Sequence, residues 1–496
     1  MNNLKTFYEE YKNKTGAYSF ATSSIYFNQA TIAPKDGIPY SNEVMSFLSG
    51  EAFTYSTHPE NIKKIEELYK ETTDSLEKKE IELRLRELHQ ISKLPKDVYV
   101  DFQKAVADSQ YVWEEAKEKD NYAIFKPHLM GLIEKRKHML TYFDFKGSAY
   151  DYLLDQFQTG MNKEKYDAFF KEIKDGLLPL IKEISEKGKK INNTPLFETF
   201  DTKEQIKFTE VLKESFCIDP RKCYLSESVH PFTSFFSAND TRITTRYHHD
   251  NVMSAILATI HEYGHALYGL QINPNFENTT LSSEIGFAMH ESQSRLMENH
   301  IGRNRAFWEL NYPKFQSIFP TQLNSISLDS FMEMINVSTP SLIRIEADEL
   351  TYPLHILIRY ELEKEIFDGT IDLSNLDVLW ADKYEEYLGV RPTTTAKGIL
   401  QDMHWGAAYF GYFPTYALGS AFAAQFYKQL EKDVNVETTL KHNDFEKIAV
   451  WLKENIHQYG ASKTFDEILL DVTGETFNPN YYVEYLTTKY RKIYGL

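Results

Sequence analysis

Residues 254–272 read SAILATIHEYGHALYGLQI, a helix-compatible apolar run with His261, Glu262 and His265 set into its middle. Two histidines at i and i+4 lie one turn apart on a single helical face, so both imidazoles can reach one metal ion. The glutamate beside the first histidine stands where it can take a proton from a water that such an ion activates. A catalytic zinc needs a third protein ligand and one open position. No third histidine follows at short spacing. Instead Ser282–Gly302, SSEIGFAMHESQSRLMENHIG, reads as a second helix on which Glu284, Glu291 and Glu298 stand seven apart and share one face. A carboxylate from that face completes a His2Glu site, and spacing alone does not choose among the three.

Upstream of the motif, Cys223–Phe236 (CYLSESVHPFTSFF) and Thr241–Tyr247 (TRITTRY) are rich in aromatic and β-branched residues, with a turn signal at Asn239–Asp240. They predict a small antiparallel sheet beside the metal-binding helix. Elsewhere amphipathic helical spacing dominates. It recurs between Asn61 and Ile91, near Val100–Glu118, Tyr122–Thr141, Lys163–Ile191 and Thr202–Phe216, and again near Leu354–Phe367 and Ala417–Glu431. No repeat, low-complexity tract or long linker divides the chain. The expectation is a mainly α protein, a single bilobal domain over residues 1–496.

Composition bounds the function. The 496 residues are 42% hydrophobic and 26% charged, ordinary globular material. A net charge of −17 without a basic block argues against a nucleic-acid partner, which needs clustered lysine and arginine. Two cysteines, Cys217 and Cys223, exclude a disulfide framework and a four-cysteine zinc site. No apolar run approaches the roughly 20 residues of a membrane helix, and the first residues carry no signal-peptide pattern. A cytoplasmic protein with no membrane partner is expected.

The motifs together resemble the carboxypeptidase Taq family of zinc metallocarboxypeptidases. Besides HEYGH, the resemblance rests on His230-Pro231-Phe232, Asp240–Tyr247 (DTRITTRY), His290–Arg295 (HESQSR), Ile343–Tyr352 (IRIEADELTY), Gly398–Trp405 (GILQDMHW) and Phe410–Gly419 (FGYFPTYALG). It implies a large helical fold similar to neurolysin and angiotensin-converting enzyme, with a deep groove and zinc at its floor. By the same resemblance the metal ligands are His261, His265 and Glu291, Glu262 is the general base, and His290 supports the ligand shell. Zn²⁺ is the implied cofactor, with Co²⁺ able to substitute, and a homodimer acting on peptides with a free C-terminus is implied. One departure stands out: where the family commonly has Ser-x-Gly after the His-Trp pair, this chain has Gly406-Ala407-Ala408.

Two further roles follow from the chemistry. A tetrahedral oxyanion needs a stabiliser besides the metal; Tyr412 is the leading candidate, with Tyr416 and His404 behind it. A substrate carboxylate is best held by an arginine fork, and among Arg344, Arg246, Arg242 and Arg295 the resemblance favours Arg344. The alternative for Arg344 is an ion pair with Glu346, Asp348 or Glu349. His230 is expected to border the substrate groove. Competing readings are an endo-oligopeptidase or dipeptidyl carboxypeptidase with the same metal chemistry, and a catalytically silent helical scaffold that binds peptides.

Overall fold

The run around the metal motif folds as one helix, Val252–Gln271, begun by Asn251, whose side chain accepts the Ser254 amide. In the computed structural model, which describes residues 2–283 and 285–496, this helix is buried on nearly every side, as its apolar composition dictates. Most of the described chain is helical, as expected. The periodic run between Asn61 and Ile91 is two helices, Pro59–Glu71 and Ser75–Ser92. The second starts where Asp74 accepts the Glu77 amide at 2.8 Å. These two and Asn2–Thr31 share a small core of their own around Tyr8, Tyr11, Ile65, Leu68 and Leu85. A far larger core runs from Phe102 to Tyr494. Among the described residues, no helix is long and apolar enough to cross a membrane.

The small sheet has three strands, β1 (Cys223–Glu227), β2 (Thr233–Ser237) and β3 (Asp240–Thr245), in the order β1-β3-β2. It is mixed rather than wholly antiparallel: β3 runs antiparallel to β2 and parallel to β1. The tight turn after Ser237 forces the β2–β3 hairpin to be antiparallel. The Ser228–Phe232 crossing, which holds Pro231, has by then carried β2 past the slot that β3 fills, so β1 and β3 point the same way.

The predicted helix over Ser282–Gly302 is an α-helix only from Phe287 to Arg295, and Leu296–Gly302 continues it as a π-helical turn. Glu284 lies outside the described residues. The Phe287–Arg295 helix is clamped between the motif helix and Pro414–Asp433, and two glycines allow the approach. A Cβ on Gly264, inside HEYGH, would stand 2.6 Å from Ser294 Cα, and one on Gly419 would stand 2.7 Å from Glu291 Cβ. The residue types at these positions therefore set how close Glu291 comes to the two histidines.

Candidate active site

His261, His265 and Glu291 come together, their donor atoms all within 4.8 Å of one another. Glu291 Oε2 lies 3.8 Å from His261 Nε2 and 3.7 Å from His265 Nε2. Donors about 2.1 Å from a tetrahedral zinc are about 3.4 Å apart, so two imidazoles and one carboxylate at these spacings suit such an ion in size and chemistry. Burial, reinforced by His290 and His261, holds the His265 imidazole well below its ordinary range, in the neutral form that ligates. Burial also works against charge on His261, but Glu291 and Glu298 carry it upward on balance.

The surrounding residues fix these groups in place. Glu298 accepts a hydrogen bond from His261 Nδ1 at 2.9 Å. Arg295 donates from Nε to Glu291 Oε1 at 2.6 Å and from Nη1 to Glu298 Oε2 at 3.1 Å. The spacing thus gathers two of the three glutamates at the site with different tasks: Glu291 faces the histidines, and Glu298 orients a ring. His290 stacks on the His265 ring with centroids 4.2 Å apart. Glu262 is buried, which raises its carboxyl. The Thr233 hydroxyl, on β2, donates to Glu262 Oε2 at 2.6 Å. Sequence reasoning missed Thr233; the one available signal is its place directly after His230-Pro231-Phe232.

A sequence model of the carboxypeptidase Taq (M32) metallopeptidases matches residues 7–490. The chain belongs to that family. It is 39% identical over 482 residues to carboxypeptidase 1 of Bacillus subtilis, covering 97% of this chain and 96% of the relative. Identity to thermostable carboxypeptidase 1 of Pyrococcus furiosus is 33% over 479 residues, 96% of each chain. The fold agrees with a solved structure of Pyrococcus furiosus carboxypeptidase at a TM-score of 0.95 and 31% identity, covering 99% of both chains. It also matches an M32 carboxypeptidase from Deinococcus radiodurans at 0.95 and 28% identity, over 99% of this chain and 100% of the other. As a member of the M32 family the protein is a metallocarboxypeptidase, a metal-dependent hydrolase of peptides.

In this M32 chain, the other candidate residues fall into two groups. Arg344 is buried, and its Nε and Nη2 both lie 2.9 Å from Oδ1 of Asp402, while Nη1 donates to the Tyr352 hydroxyl at 3.2 Å. Its ion-pair partner is thus none of the three acids of its own segment but the aspartate of GILQDMHW. Arg359 donates to the other oxygen of Asp402, so two guanidinium groups share one carboxylate and the buried cluster carries a net positive charge. His404 Nε2 meets the Tyr416 hydroxyl at 3.2 Å, and burial beside Arg344 brings the His404 imidazole down to about 3, so it is neutral. Tyr412 sits 5.2 Å, centroid to centroid, from both Tyr416 and Phe287, the first residue of the Glu291 helix. Burial pushes its hydroxyl up to about 12 and that of Tyr416 well above its usual range, so both keep their protons at neutral pH.

The second group is His230 and the other three arginines, of which only Arg295 lies at the metal site. His230 is exposed in the β1–β2 crossing, where its backbone carbonyl accepts from the Ser228 hydroxyl. Arg242 forks onto Asp240, Arg246 donates to the Val229 carbonyl, and Arg295 is spent on Glu291 and Glu298.

Proposed function

We propose that the protein removes single residues from peptide C-termini using Zn²⁺ held by His261, His265 and Glu291, with Co²⁺ able to take its place. Bound there, the ion acidifies water and polarises the scissile carbonyl. Glu262 accepts the proton of the attacking water and passes it to the departing amine. The Thr233 hydroxyl, by occupying Oε2, leaves the other carboxylate oxygen for that transfer. Tyr412 donates its hydroxyl proton in a hydrogen bond to the developing oxyanion, with Tyr416 and His404 behind it. Arg344 meets the substrate carboxylate, a role supported by the surplus positive charge that Arg344 and Arg359 leave around Asp402.

The observation that carries this reading is the convergence of two imidazoles, Glu291 and a buried, hydroxyl-anchored Glu262 on one helix pair. The test is hydrolysis of a blocked tetrapeptide with a free or an amidated C-terminus, with products identified by mass. Release of one amino acid from the free peptide alone is expected. An unchanged rate on the amide would replace the proposal by an endo-oligopeptidase, and release of dipeptides by a dipeptidyl carboxypeptidase. In the same assay Glu262→Gln is expected to keep its metal and lose turnover.

The reading extends to a single bilobal body and to a homodimer. Support for the first is the separate N-terminal core. For the second it is the Ile38–Ser56 helix, which buries none of its residues and leaves Tyr40 and Phe47 72% and 67% exposed. Light scattering at the 57.9 kDa of one chain would remove the dimer.

A further inference from the structure

The segment that carries His404 and Tyr412 makes an unusual bend. Ala408 and Gly411 both take left-handed backbone, with φ of +60° and +90°. A side chain on Gly411 would also meet the Leu153 backbone at 2.8 Å. The Ala407, Ala408 and Tyr409 amides tie the first half of the bend back to Met403, His404 and Trp405, yet the left-handed Ala408 is costly and the Gly411 amide goes to a side chain outside the bend. Its two ends are tied to one side chain. Glu363, on the Tyr352–Asp368 helix and 0% exposed, accepts from Trp405 Nε1 on Oε1 at 2.7 Å. On Oε2 it accepts from the Gly411 amide at 2.7 Å and from the Tyr150 hydroxyl at 2.9 Å.

Trp405 directly follows His404, and Gly411 directly precedes Tyr412. The two anchored donors are therefore the chain neighbours of the two side chains to which the proposed function gives a part in the reaction. A buried carboxylate is an expensive choice here. Among the described contacts it has no cationic partner: Arg359, one turn away, is committed to Asp402, the His355 carbonyl and the Tyr384 hydroxyl. Burial accordingly pushes the Glu363 carboxyl up to about 7. Only a carboxylate offers two acceptor-only oxygens to three converging donors, so its retention matches a need for that geometry.

We propose that Glu363 is a positioning residue for peptide hydrolysis, clamping both ends of the 405–411 bend so that Tyr412 and His404 are presented to the metal site. This rests on the reading of Tyr412 as the oxyanion donor. Glutamine at 363 must turn its amide N–H toward Trp405 or Gly411, both donors, so one end of the bend is released.

The experiment measures kcat, KM, metal content and circular dichroism for Glu363→Gln, Trp405→Phe, the double variant and Tyr412→Phe. Glu363→Gln is expected to lose roughly tenfold or more in kcat, as misplacement of a catalytic group does, with KM within about twofold and metal content unchanged. Trp405→Phe removes the donor that the glutamine amide opposes, so the double variant should recover to the kcat of Trp405→Phe alone. A residue that merely supports the fold would lower thermal stability without this kcat-specific loss and without the rescue. Wild-type kcat in Glu363→Gln, alongside a crippled Tyr412→Phe, overturns the inference. Wild-type kcat in Tyr412→Phe shows instead that the oxyanion reading has failed, and the inference falls with it. If Glu363→Gln does not fold, Trp405→Phe alone decides: a several-fold kcat loss at constant KM is expected, and none refutes the clamp.

Discussion

Replacing Glu298 with glutamine takes one negative charge from the side chain that holds the His261 ring. In the wild type, Glu298 Oε2 accepts from His261 Nδ1 at 2.9 Å and from Arg295 Nη1 at 3.1 Å, with Arg303 3.7 Å from Oε1. Glutamine keeps the shape and one acceptor, so the ring still has a partner, but a neutral one. A hydrogen bond involving a charged group is worth about 1.5–3 kcal/mol against about 0.5–1.5 for a neutral one. The difference, about 1–2 kcal/mol, corresponds to about a 5- to 30-fold weaker hold on the metal. That lies near the roughly 10- to 100-fold cost typical of losing such an outer partner. Arg295 moderates the effect because it retains Glu291 at 2.6 Å. The assay is the apparent Kd for Zn²⁺, measured by chelator competition, with circular dichroism as the control for folding. An affinity within twofold of wild type would refute the idea that Glu298 sets the orientation of His261.

Three further outcomes are expected. Thr233→Val removes the hydroxyl that donates to Glu262 at 2.6 Å, so kcat should fall by roughly tenfold with metal content unchanged; a wild-type kcat would show that Glu262 needs no such anchor. Ala408→Gly relieves a left-handed alanine at φ +60°. The relief of about 1–2 kcal/mol matches or exceeds the about 0.5–1 kcal/mol of extra entropy a glycine loses, so denaturant titration should show a gain of up to about 1.5 kcal/mol, and a loss would contradict the strain. Finally, because burial raises the folded Glu363 carboxyl from 4.5 to about 7, the folded chain holds a proton between those values that the unfolded chain has released. That group's contribution to stability therefore falls as pH rises from about 4.5 to about 7, by about 3 kcal/mol in all. Glu363→Gln should gain on wild type by that order between pH 5 and pH 8, and parallel stability curves would contradict it.

The helix with its two histidines was legible because i, i+4 spacing is a local property, and the amphipathic helices followed from the same periodicity. Glu291 was not legible from spacing, since three glutamates seven apart all satisfy it. The π-helical turn at Leu296–Gly302 and the pairing of Glu298 with His261 Nδ1 separate their roles only in three dimensions. Strand order was hidden for a related reason: β1 and β3 pair across a crossing, and nothing in either strand names its neighbour. Long-range partners were the least visible. Thr233 reaches Glu262 across 29 residues and Asp402 reaches Arg344 across 58. In each case the sequence offered the residue type but not the fold that joins the two. The glycine of HEYGH is the reverse case, a spacer in the motif that proves to be the contact point between two helices.

In the proposed site His261, His265 and Glu291 hold the catalytic metal, while Glu298 and Glu262 serve it without ligating. Metal content per chain, measured on purified wild type and on His261→Ala, His265→Ala, Glu291→Ala, Glu298→Ala and Glu262→Gln, tests it most directly. About one ion per chain is expected in wild type and Glu262→Gln, near-complete loss in the first three variants, and weakened but measurable binding in Glu298→Ala. Full metal content in Glu291→Ala beside an empty Glu298→Ala would contradict it.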